Sequence, residues 1–86
     1  MPTKEKLLRR LKIIEGQVRG LHEMIATDVY CIDVITQTSA VKQALSNIED
    51  IILQGHLGTC AVRQIKSGNT DKAVSEILKV YKLKRK

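Results

Sequence analysis

Residues 29–66 read VYCIDVITQTSAVKQALSNIEDIILQGHLGTCAVRQIK, and this stretch decides the fold. Ile32, Ile35, Val41, Ala44, Leu45, Ile48, Ile51 and Ile52 recur at separations of three and four, the spacing of one face of an α-helix. The stretch predicts a long helix from Val29 to Lys66. Gly55 and Gly58 lie inside it and flank His56; each costs about 1 kcal/mol against Ala, so the helix has a place to kink there.

Upstream, Leu7, Leu8, Leu11, Ile14, Val18, Leu21 and Ile25 mark an amphipathic helix, with Lys4, Lys6, Arg9, Arg10, Lys12 and Arg19 largely on its other faces. Thr27 and Asp28 break it from the long helix as turn and cap residues. Downstream, Ser67, Gly68, Asn69 and Thr70 read as a turn, and Ala73, Val74, Ile77, Leu78 and Tyr81 mark a short third helix. The expected class is all-α: a long helical hairpin plus a short C-terminal helix, one domain over residues 1–86. A single core of 86 residues is small, so self-association is expected. Two hairpins make an antiparallel four-helix-bundle dimer, and the small residues Ala40 and Ala44 allow close helix approach near its crossing point.

Three residues carry the chemistry: Cys31, His56 and Cys60. Thiolate and imidazole are the donors that soft and borderline metals prefer, and a separation of four puts His56 and Cys60 one turn apart on a shared face. Cys31 is twenty-five residues from His56, which at ~1.5 Å per residue is roughly 37 Å of helix. One chain cannot close that distance without a sharp break between them, whereas an antiparallel second copy brings its own Cys31 beside His56 and Cys60. Such an S, N, S set suits trigonal Cu(I), suits Zn(II) with a fourth ligand, and suits Ni(II) if a further nitrogen joins.

The formal charge is +6, from 15 Lys and Arg against 9 Asp and Glu, and it favours a polyanionic partner. With two Tyr and neither Trp nor Phe, the chain lacks the aromatic platforms of single-strand and RNA binders, so double-stranded DNA is the expected partner. Arg9, Arg10, Lys12 and Arg19 are the candidate phosphate contacts. No helix-turn-helix pattern is visible. No apolar run reaches the ~18 residues of a membrane span and no signal peptide is evident, which predicts a cytoplasmic protein. There is neither a Cys-x-x-Cys pair nor a Gly-rich phosphate loop, and no nucleophile and base pair apart from these Cys and His residues, so an enzyme is not expected.

On Arg10, Ile14, Gly16, Gln17, Gly20, Tyr30, Cys31, Asp33, Val34, Gln37, Ala40, Ala44, His56, Cys60 and Glu76, the chain resembles the CsoR/RcnR family of small helical bacterial repressors. The Cys, His, Cys set is similar to that of the family's copper-sensing branch. The resemblance implies an intersubunit Cu(I) site at Cys31, His56 and Cys60, with Tyr30 and Glu76 around the imidazole coupling the metal to the third helix. It also implies a homodimer that pairs into a homotetramer, binds operator DNA in the apo form and releases it on Cu(I) binding. Copper efflux or sequestration genes would then be derepressed. Alternatives within the family are sensing of nickel, formaldehyde or persulfide through Cys31 and Cys60. An alternative outside it is a small copper chaperone without a DNA role.

Overall fold

The computed structural model describes residues 3–86, and every regular element among them is helical. α1 spans Lys4–Ala26 and α2 spans Cys31–His56. A single π turn, Leu57–Ala61, follows directly and leads into α3, Val62–Lys66; α4 spans Thr70–Lys84. The predicted three-helix order is present, with the long second helix built from α2, the π turn and α3.

The chain divides into two compact units, the first ending at Ile52 and the second running from Leu53 to Lys86. In the first unit α1 and the body of α2 form the predicted hairpin. Leu7 and Ile14 from α1 and Val41 and Ile48 from α2 are buried together, with Leu21, Ala44 and Ile51 packed against them. The seven-residue steps Leu7, Ile14, Leu21 and Val41, Ile48 are those of antiparallel neighbours in a bundle. This core is narrow. Leu8, Leu11, Ile13, Val18, Ile25, Ile35, Leu45 and Ile52 each leave more than two fifths of their surface exposed in the single chain.

The hairpin turn explains why α2 starts two residues later than the sequence predicts. Asp28 takes a left-handed backbone, φ 56°. The Asp28 and Val29 amides then reach back to the Ile25 and Met24 carbonyls at 3.3 and 3.0 Å, closing α1 with a Schellman motif. Helical bonding resumes only at the Tyr30 carbonyl, which accepts from the Asp33 amide at 3.0 Å.

The second unit repeats the device. Gly68, at φ 87°, ends α3, with the Gly68 and Asn69 amides on the Ile65 and Gln64 carbonyls at 3.2 and 2.7 Å. Thr70, read from the sequence as a turn residue, is already the first residue of α4. α3 and α4 pack on each other, and the two most buried of the described residues are both alanines, Ala61 at 3% and Ala73 at 1% exposure. Side chains this small let the backbones come close.

The π turn is the main departure from an unbroken helix. Its backbone bonds skip five residues instead of four, a bulge that accommodates an extra residue and is found often at functional sites. Gly58 sits in it without strain, and Thr59 turns its hydroxyl onto the Gly55 carbonyl at 2.7 Å, competing with the regular ladder. The place where Gly55 and Gly58 permit a kink carries this bulge.

Candidate metal centre

Cys31 is the first residue of α2 and His56 its last, and Cys60 lies inside the π turn. Both thiols are free and exposed. The Thr59 hydroxyl stands 3.7 Å from Cys60 Sγ.

The second unit brings His56 and Glu76 together: His56 Nε2 lies 3.4 Å from Glu76 Oε2, with the two side chains 27% and 39% exposed. Glu76 is placed there by Ala73, one turn earlier on the α4 face that packs on α3. Gln64 stands one turn beyond the buried Ala61 and donates its amide Nε2 to the other oxygen of Glu76 at 3.4 Å. Gln64 was not singled out from the sequence, where a lone glutamine in a helix carries no signal.

Cys31 and Tyr30 belong to the first unit, whereas His56, Cys60 and Glu76 belong to the second. Tyr30 is 67% exposed. Among the described residues of the chain, no group of three or more His, Cys, Asp or Glu side chains is assembled to hold a metal ion. The donor types fit a soft metal.

The basic residues of α1 fall on two sides. Lys12 and Arg19 are seven apart on the exposed side and share Glu15, each at 3.9 Å; Arg9 is also exposed. Arg10 lies three residues after Leu7 and four before Ile14, which carries it to the edge of the core stripe. There it is half-buried and lines a shallow groove with Ile13, Ile14, Gln17, Ala44 and Asn47. The four candidate phosphate contacts therefore do not share one face of α1.

The described residues thus present two exposed thiols, an imidazole against a carboxylate and a basic first helix. Residues 3–82 match the family described as metal-sensitive transcriptional repressor, and the chain belongs to that family. It is 44% identical over 79 residues to the copper-sensing transcriptional repressor CsoR of Bacillus subtilis, covering 92% of this chain and 78% of that protein. Its fold matches the crystal structure of the copper-sensing repressor CsoR with Cu(I) from Geobacillus thermodenitrificans NG80-2. The TM-score is 0.86 at 36% identity, over 95% of this chain and 85% of the other. The nickel-responsive transcriptional regulator InrS matches with a TM-score of 0.76 at 32% identity, over 91% and 88% of the two chains. No helix among the described residues is long and apolar enough to cross a membrane.

Proposed function

We propose that this protein is a cytoplasmic Cu(I)-responsive repressor, in which residues 1–86 act as one metal-sensing and DNA-binding domain. The observation that carries the reading is the His56–Glu76 contact, four residues before Cys60 in the chain. A ligating histidine characteristically gives its second ring nitrogen to a carboxylate, which fixes tautomer and orientation. With Glu76 on Nε2, the Nδ1 edge of His56 is the one presented to a metal. The likeness to the Cu(I)-bound CsoR supports copper over the nickel of the more distant InrS.

Cys31 of one protomer joins His56 and Cys60 of another. The two ends of a 26-residue helix are ~1.5 Å per residue apart, whereas antiparallel pairing of two such helices overlays unlike ends. The exposed apolar residues of the hairpin, Leu11, Val18, Leu45 and Ile52 among them, support the same pairing into a four-helix bundle, and two dimers assemble into a tetramer. Bound at this site, the metal supplies a link between subunits that the thiols and imidazole alone do not make. Tyr30, whose backbone opens α2 next to Cys31, and Glu76, on α4, couple that link to the helices around it. Arg9, Arg10, Lys12 and Arg19 contact the phosphates of operator DNA in the apo form. Linkage then requires that whatever the metal costs in DNA affinity, DNA costs equally in metal affinity.

An anaerobic titration of the reduced protein with Cu(I) against a competing chelator tests this, with binding to a duplex carrying its own operon's promoter followed on the same samples. The expected result is one tightly held Cu(I) per protomer and loss of DNA binding. Weak or superstoichiometric copper with unchanged DNA binding overturns it. A parallel Ni(II) titration that releases DNA where Cu(I) does not would reassign the metal.

A further inference from the structure

Glu76 is held at both of its oxygens. Oε2 faces His56 Nε2 and Oε1 accepts from Gln64 Nε2, each at 3.4 Å. Gln64 is itself anchored: its backbone carbonyl accepts from the Asn69 amide at 2.7 Å and from the Ser67 hydroxyl at 3.1 Å, the bonds that end α3 and open the turn into α4. Its side-chain carbonyl, Oε1, is buried with no hydrogen-bond partner among the described residues. An orphaned buried carbonyl weakens a fold, and an apolar side chain of the same length would fill the space without that penalty. The amide contact with Glu76 gives the glutamine a role that an apolar side chain of that length could not fill. Glu76 is partly exposed, and an exposed carboxylate left to itself turns to water; the amide keeps it aimed at the imidazole.

We infer that Gln64 is a positioning residue of the sensor: it fixes the carboxylate of Glu76 against Nε2 of His56 and so ties the imidazole to the α3–α4 turn. This rests on the metal-sensing reading above. When His56 takes a metal, its ring is locked in one orientation and the Glu76 carboxylate with it. Gln64 passes that restraint to the backbone bonds that launch α4. Without the amide, the three metal donors are untouched, but a pull on the imidazole is taken up by rotation of the Glu76 carboxylate.

The test compares the wild-type protein with Gln64→Met, which keeps the length and apolar volume and removes the amide, and with Glu76→Gln and the double variant. Three quantities are read on each: Cu(I) affinity by chelator competition, the ratio of DNA dissociation constants with and without Cu(I), and the apo melting temperature. For Gln64→Met the expected ratio falls about tenfold, a large share of a typical allosteric coupling, with Cu(I) affinity nearly unchanged and melting unchanged or raised. The double variant is expected to lose no more coupling than Glu76→Gln alone, since both act through one contact. A wild-type ratio in Gln64→Met overturns the inference, whether or not its melting temperature drops, and so do losses that add in the double variant. If the wild-type protein itself shows no Cu(I) response, the metal-sensing reading fails and this inference goes with it.

Discussion

His56 Nε2 and Glu76 Oε2 stand 3.4 Å apart across the second unit, joining the last residue of α2 to the middle of α4. The contact engages the Nε2 edge of the imidazole and leaves Nδ1 as the other edge. On the metal-sensing reading proposed above, it also puts on α4 the partner that registers a change at His56.

Replacing Cys31 with Ala should abolish tight Cu(I) binding while leaving apo DNA affinity within about twofold of wild type. Cys31 is exposed at the helix start and packs into no core, so its loss leaves no cavity. Chelator competition and gel shift on the same preparation check this. Loss of DNA binding with retained metal would sink the ligand assignment.

Glu15 draws on both Lys12 and Arg19, and all three side chains are exposed. Exposed pairs contribute little to stability, about 0–1 kcal/mol, so Glu15→Gln should leave melting unchanged. If the two cations face DNA phosphates, the same change should tighten apo DNA binding at low salt. Fluorescence anisotropy across a salt series would reveal it; Arg9→Ala should conversely flatten the salt slope by about one unit.

Ala73 is 1% exposed on the α4 face packed against α3. Leu at this position has nowhere to go, and Ala73→Leu is expected to destabilise the protein by about 1–3 kcal/mol. Urea denaturation followed by circular dichroism measures it. Wild-type stability would mean that α4 is free to move outward.

Gly68 ends α3 at φ 87°, where a Cβ meets no neighbouring atom but strains its own backbone. Gly68→Ala should therefore cost about 1–2 kcal/mol, entirely as conformational strain. The same denaturation experiment decides, and an unchanged midpoint would show that the turn adopts another conformation at no cost.

Much of the architecture was legible because burial repeats along the helices. The steps Leu7, Ile14, Leu21 and Val41, Ile48 announce both arms of the hairpin, and Gly68 marks the turn into α4. The break at Thr27 and Asp28 was legible too, but not that Val29 and Tyr30 fall outside α2: a β-branched and an aromatic residue there are as compatible with a helix as with a Schellman turn. His56 and Cys60 drew attention by residue type. The pairing of His56 with Glu76 is set by how α3 packs on α4, twenty residues along the chain, and the resemblance to known repressors, rather than any periodicity, pointed to Glu76. Arg10 was grouped with Arg9, Lys12 and Arg19 by charge. The heptad that makes Leu7 and Ile14 core residues puts Arg10 beside them instead.

Counted in helical phase, the π turn shifts the faces of the residues that follow it. Each residue of an α-helix advances about 100° around the axis, so residues eight apart, such as His56 and Gln64, would point about 80° away from each other in an unbroken helix. The bulge at Leu57–Ala61 absorbs one residue, and the pair then behaves as if seven apart, within about 20° of alignment. That surplus residue is what lets a histidine before the bulge and a glutamine after it address the two oxygens of one carboxylate.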